Sequence, residues 1–476
     1  MSAQTSHKLR PDVVTAIDAA AQSFGFVGPV MVMAFLTTFV AIGAGLATPL
    51  AALLSGLASI AVGYVVAQFA IRHRAAGSIY SYIAQAFGPT QGFLGGWIYM
   101  FAVLMLTIAI VAGVAGWTSG FLADFVGISI PWIAVLIFEI VVLFLVTYFD
   151  IRYSTRAQLT IVAISVLIVL LLALSVIVRG GAAGNSIAPF LPTTAGSLRG
   201  LAFGLIYGML LFTGYESAAV LAEEARDHKR VIPLAIIGSA TLATVFYVIV
   251  TYAYAIGFGP DGAAAWAQDP AVLLTIAGMY GGDWLVPIVF AAAIVDGFAV
   301  SMACLNTVAR VLFAMGRDGA LPRVLGRTHA RYQTPHLANG FVLLLALVVG
   351  FIFTRVEGTF ETEFGFLAGI GGIAVEVIYI YVSVAALFYF RRVMGRQWSW
   401  FKHAIVPLIA IIAPAAALYG SIQPQGGILD VMPYVVLGWI VLGLVIIVAL
   451  RSSQPELVAK MGADLGVEVL GAEGGD

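Results

Sequence analysis

Phe212-Thr213-Gly214-Tyr215-Glu216-Ser217 stands in the middle of an apolar run otherwise long enough to cross a bilayer. Gly, Thr and Ser loosen a helix, and Glu216 places a carboxylate where hydrocarbon would be. An unwound segment frees backbone N–H and C=O groups. Within a membrane these need partners, so such a break is tolerated only where it lines a cavity. Close helix packing through small residues, with Gly204 and Gly208 just upstream, is the competing account.

The rest of the chain decides that the run is a membrane span. Of 476 residues, 61% are hydrophobic and 10% charged, whereas a soluble domain carries roughly 25% charged residues. Runs such as 159–178 and 435–450 are continuous and do not alternate, which favours helices over a barrel. Twelve spans are expected, near 13–40, 47–70, 92–123, 131–149, 155–178, 198–221, 232–257, 284–313, 336–354, 363–390, 403–422 and 431–450. Twenty of the 23 Lys and Arg residues fall in one set of loops; only Arg179, Arg199 and Arg355 fall in the other. Positive loops stay cytoplasmic, so both termini are expected there, in an inner or plasma membrane. The polar segment 1–12 and the tail 451–476 flank the bundle. The first apolar run lacks a small-residue cleavage site and reads as a retained helix.

Several chemistries find no footing. There is no Gly-x-x-x-x-Gly-Lys-Ser/Thr loop for a nucleotide, no Gly-x-Ser-x-Gly and no zinc-ligand spacing. The one cysteine, Cys304, excludes a disulfide within the chain and reads as a small packing residue. All six histidines lie in or beside the basic loops. An enzyme is therefore not expected, nor a metal or a nucleic-acid partner.

Charged residues inside spans carry more information, because each is costly in hydrocarbon. They are Asp18, Glu139, Glu216, Asp296 and Glu376, and no Lys or Arg stands near the middle of a span to neutralise them. Asp18 lies in the first turns of span 1, within reach of water or an Arg. Glu139 reads as a packing residue. Asp296 and Glu376 are candidates for a transport path.

Span 1 has a break of its own at Ser23-Phe24-Gly25-Phe26-Val27-Gly28-Pro29, where Pro29 removes a helix hydrogen bond. Spans 1 and 6 open two successive groups of five helices. Matching breaks in corresponding positions are the sequence sign of an inverted-repeat transporter. Helix N-termini after each break attract an anion, and the carbonyls before it attract a cation. A zwitterion with a carboxylate and an amine fits that pair of poles.

Downstream of the sixth-span break the chain reads Glu223-Glu224-Ala225-Arg226-Asp227-His228-Lys229-Arg230-Val231-Ile232-Pro233. Two further stretches are Ala76-Gly77-Ser78-Ile79-Tyr80-Ser81-Tyr82 with Phe87-Gly88-Pro89, and Asn306-Thr307-Val308-Ala309-Arg310 through Gly316-Arg317-Asp318-Gly319-Ala320-Leu321-Pro322. Together they resemble the amino acid–polyamine–organocation permeases over spans 1 to 8; spans 9 to 12 match in hydropathy only. The resemblance implies an all-α membrane protein of about twelve helices. It also implies a five-plus-five inverted repeat with discontinuous helices 1 and 6, of the LeuT-like fold. Repeat one would span 13–178, repeat two 198–390, and two extra helices 403–450.

It further implies a secondary active transporter that imports an amino acid or related small amine by alternating access. Substrate would lie at Ser23, Phe24, Gly25, Phe26, Val27 and Gly28, and at Phe212, Thr213, Gly214, Tyr215, Glu216 and Ser217. Many family members have Gly-x-Gly in the first break; here it is Gly25-Phe26-Val27-Gly28-Pro29, bulkier and with a Pro that lacks a donor. Some proton-coupled members carry a Lys in helix 5, at the position that is Ser165 here. Either sodium sits between Ser165 and Ser301, or a carboxylate such as Glu216 or Asp296 carries a proton, which is slightly favoured. The partners expected are the small molecule and the bilayer. A channel or membrane-embedded sensor of the same fold is the alternative.

Overall fold

In a long apolar run only the backbone itself can satisfy backbone polar groups, so each run coils into a helix. The structure, a computed structural model, describes residues 9–149, 151–355, 359–421, 423 and 430–461. Parts of the expected flanking segments 1–12 and 451–476 lie outside the described residues.

In chain order the helices are α1 (Ala16–Val27), α2 (Pro29–Phe35), α3 (Thr37–Ala44), α4 (Thr48–Arg72), α5 (Ile79–Phe87), α6 (Pro89–Phe121), α7 (Trp132–Tyr148), α8 (Ile151–Arg179) and α9 (Leu198–Leu210). They continue as α10 (His228–Phe258), α11 (Ala263–Trp266), α12 (Val272–Gly281), α13 (Leu285–Arg317), α14 (His336–Arg355), α15 (Phe360–Val393), α16 (Val406–Ser421), α17 (Met432–Ser453) and α18 (Pro455–Lys460). Among the described residues, 11 helical stretches are long and apolar enough to cross a bilayer. The twelfth expected span is α7, which has 17 residues, about 25 Å of helix and at the short limit for spanning. The periphery is apolar towards the outside: Phe138 is 69% and Val178 86% exposed. Lipid, not water, suits such a surface.

One expected boundary moves. The run 13–40 does not continue past Phe35, because Leu36 turns the chain (φ −112, ψ −15) and α3 leads towards α4 instead. The reason is a close crossing of α3 on α9. A Cβ on Gly43 would meet Gly204 N at 2.6 Å and Gly200 O at 2.8 Å, so only glycine lets the backbones approach.

Centrally, α6 and α13 are buried along most of their length and pack together, with α15 against α6. The last helices lie outside them. Trp97 and Trp439 each donate their indole N–H to the other's backbone carbonyl, at 2.9 and 3.1 Å, and stack with centroids 4.3 Å apart. That fixes α17 on α6.

Candidate functional site

The two breaks are local events at single glycines. Gly28 (φ 60, ψ 58) ends α1 and precedes Pro29, whose missing N–H costs nothing at the first position of α2. Gly214 (φ 105) ends the turns after α9 and begins a 3-10 segment, Tyr215–Leu221. A Cβ on Gly28 would run into Val300 of α13, and one on Gly214 into the Phe26 ring. The span 1 break is thus narrower than expected: Ser23 to Val27 are helical, and only Gly28 leaves the helix.

The breaks face each other and are tied together. Ser23 Oγ accepts from Ala218 N at 3.0 Å, and Ser217 Oγ donates to Gln22 O at 3.2 Å. Beside them lies a cavity of about 60 Å³ lined by Phe26, Val27, Met31, Val32, Leu36, Leu106, Ile110, Leu210, Thr213, Val300, Phe364 and Ala368. A larger chamber of about 530 Å³ shares Leu36, Leu210, Phe364 and Ala368 with it. One face of α15, from Phe360 to Glu376, lines the chamber together with Phe35, Phe39, Trp117, Tyr207 and Phe290. Its lining includes the start of α15 and the loop residues Pro270 and Ala271, at the end of the bundle opposite the Lys- and Arg-rich loops.

Of the twelve expected substrate-site residues, Phe26, Val27 and Thr213 line the inner cavity. Ser23 and Ser217 hold the breaks together. Gly28 and Gly214 supply the backbone turns. Gly25 packs on Gln158, Phe24 is half-buried against the core, and Phe212 sets its edge on Tyr247 at 4.9 Å. Tyr215 sits behind the break, 5.8 Å from Tyr379. Glu216 also points away from the cavity, where its carboxylate accepts from Tyr379 Oη at 2.6 Å and Tyr99 Oη at 3.4 Å.

The other carboxylates have definite places. Asp18 caps α1, accepting from Thr15 N (3.0 Å) and Thr15 Oγ1 (2.7 Å), while Thr155 Oγ1 donates to its other oxygen at 3.0 Å. Glu139 accepts from Ser301 Oγ at 3.2 Å. Asp296 Oδ2 accepts from Val30 N and Met31 N, both at 2.9 Å, and so caps α2 from across the bundle. Ser165 Oγ donates to Ala292 O at 3.1 Å, while Ser301 Oγ lies 3.2 Å from both Glu139 Oε1 and Gly297 O, so each hydroxyl is engaged within the protein. Sequence reasoning missed Tyr247, whose hydroxyl bonds Leu211 O at 3.0 Å and reaches Val27 O at 3.3 Å. It also missed the apolar walls from α6 and α15, which carry no pattern to mark them.

The Lys- and Arg-rich end is closed by side-chain pairs, and the three stretches that resemble the family meet there. Arg310 grips Glu224 through Nε (2.7 Å) and Nη2 (3.3 Å), with both side chains buried. Arg317 grips Glu223 at 2.9 and 3.0 Å, and Ala76 N donates to the same carboxylate. Tyr80 Oη donates to Asp318 at 2.9 Å. Arg74 reaches the carbonyls of Ala222, Glu223 and Ala225. Residues 13 and 14 donate their N–H groups to Glu224 O, which pins the segment just before α1 to the same knot. His73 lies beside it, accepting or donating to Tyr389 Oη at 2.9 Å. Burial and the neighbouring Arg72 push its pKa down to about 4.

A bundle with two facing breaks, a chamber on one side and a seal on the other is what a permease needs, and sequence comparison agrees. The profile described as amino acid permease matches residues 16–448. This chain belongs to the amino acid permease family. Relatives of the permease include the methylthioribose transporter of Bacillus subtilis (strain 168), 25% identical over 88% of this chain and 90% of that protein. The branched-chain amino acid permease BcaP of the same organism is 25% identical over 86% and 87%. The low-affinity putrescine importer PlaP of Escherichia coli (strain K12) is 24% identical over 80% and 81%. These are transporters and permeases and not enzymes, and their names give no support to a channel or sensor. The permease is a multi-pass membrane protein that moves small molecules.

Proposed function

We propose that the permease is a secondary carrier importing an amino acid or related small amine by alternating access, driven by a proton gradient. The observation that carries this is the asymmetry of access. A chamber at one end adjoins the small cavity beside the two breaks, and ion pairs of Arg310, Arg317, Glu223 and Glu224 close the other end. The positive-inside bias makes the sealed end cytoplasmic, with both termini on that side, so this is an outward-facing state. Two five-helix repeats, 13–178 and 198–390, would rock around the breaks to exchange the open end.

A proton is favoured over sodium because the Ser165 hydroxyl is engaged by Ala292 O and that of Ser301 by Glu139 and Gly297 O, while Glu216 and Asp296 are fully buried carboxylates at the breaks. The relatives are named for methylthioribose, branched-chain amino acids and putrescine, which leaves the identity of the cargo to experiment. Uptake of amino acids and amines into proteoliposomes tests the reading. Accumulation under an imposed proton gradient, and none under sodium alone, is the expected result. Accumulation of nothing under either gradient would sink it.

Glu216→Gln is expected to lower the uptake rate at least tenfold while the protein stays monodisperse in detergent. Gln keeps a carbonyl oxygen for Tyr379 but removes the charge and the proton site. Uptake at the wild-type rate, with an unchanged pH profile, would remove Glu216 from the mechanism.

A further inference from the structure

An amino acid offers a carboxylate and an ammonium, and a broken helix offers free N–H groups on one side and free carbonyls on the other. At the span 1 break of this permease the N–H pole is already taken by the chain, and one side chain reaches the carbonyl pole. Val30 N and Met31 N donate to Asp296 Oδ2 at 2.9 Å each. The Tyr247 hydroxyl serves the carbonyl of Leu211, 3.0 Å away, and reaches that of Val27. A cargo carboxylate at α2 would have to displace the Asp296 carboxyl or compete with it for the same two N–H donors. Asp296 Oδ1 has no hydrogen-bond partner among the described residues, so a second acceptor oxygen is left over behind the cavity wall.

The route to that wall has one sign of charge. Glu361 and Glu376 line the chamber, and no Lys, Arg or His lines either cavity. The Ser421 hydroxyl lies 3.2 Å from Glu376 Oε2 and donates to that carboxylate, and one proton leaves most of its lone pairs open. Phe35 stacks on Trp117 at 4.0 Å with Phe290 edge-on at 6.2 Å, so an aromatic cluster lines the same chamber. Carboxylates and aromatic faces together favour a cation with an apolar body. Thr213 is the polar side chain in the inner cavity, which suits one amine head or a methylene chain better than a zwitterion.

We infer that the cargo is a small organic amine without a carboxylate, and that Asp296 stands where an amino acid's carboxylate would bind. This rests on the carrier reading above and narrows it.

The test is uptake by the full chain in proteoliposomes of three labelled pairs, each an amino acid and its decarboxylated amine: phenylalanine and phenethylamine, leucine and isoamylamine, ornithine and putrescine. Within at least one pair the amine is expected to enter ten times faster than the amino acid. An amino acid entering as fast as its amine, or faster, in every transported pair overturns the inference and leaves the carrier reading intact. No uptake of any of the six overturns both. Glu376→Gln supplies a second readout, since Gln can still accept from Ser421. It is expected to raise KM for the amine at least fivefold with kcat nearly unchanged, whereas an unchanged KM counts against the amine route.

Discussion

Gly214→Ala is expected to cut uptake by more than tenfold, the largest effect of any single methyl group in the permease. At φ 105 and ψ −9, residue 214 lies where an L side chain is strained, at a cost of about 1–2 kcal/mol. The added Cβ would also enter the Phe26 ring. Phe26 forms part of the inner cavity wall, so it cannot retreat without changing the cavity or pushing on α1. The effect therefore falls on function as well as on stability. Gly238→Ala is the matching control. Gly238 sits inside α10 with open space around its Cβ position, and the change there is expected to stabilise by roughly 0.5–1 kcal/mol. Uptake by Gly214→Ala equal to that of Gly238→Ala would mean that the sixth-span break does not shape the path.

The break itself was legible because it depends on local chemistry: glycine, hydroxyls and a carboxylate in an apolar run announce themselves without a partner. Span count was legible for the same reason, since length and apolarity are properties of a window. The seal at the basic end was half legible. Glu223, Glu224, Arg310 and Arg317 stood in stretches that resemble the family, but nothing in them says which acid takes which base. What the sequence hid was pairing at long range. Asp296 lies 266 positions from Val30, and one buried aspartate on α13 looks the same whether it carries an ion or caps a helix. Glu216 looked like a cavity residue until Tyr99 and Tyr379, from α6 and α15, placed its carboxylate behind the break. Leu36 carries no signal for a turn at all. The turn arises because Gly43, Gly200 and Gly204 draw α3 onto α9.

Arg310→Met is expected to be the most destabilising single change at the seal. Arg310 and Glu224 have side chains only 2% and 3% exposed and meet bidentately. Removing Arg310 takes a guanidinium charge and two N–H donors from a carboxylate in the interior, a loss of about 3–5 kcal/mol. Arg310→Lys is no safe substitute, because an ammonium cannot reproduce the two parallel N–H donors. Thermal unfolding in detergent should show a clear drop for both. The double change Arg310→Met with Glu224→Leu then separates two roles. Replacing a buried pair by apolar groups is often neutral or stabilising, so the double variant is expected to regain most of the lost thermal stability. If the pair only held the fold, uptake returns with it. If the basic end must open to release cargo, the pair has to part and re-form in each cycle, and an apolar plug of similar volume has no reason to let water in. Restored stability with uptake still below a tenth of wild type is the expected outcome. Restored uptake would place the moving parts of the seal at Arg317 and Glu223 instead, where the side chains are 19% and 18% exposed and already reach water.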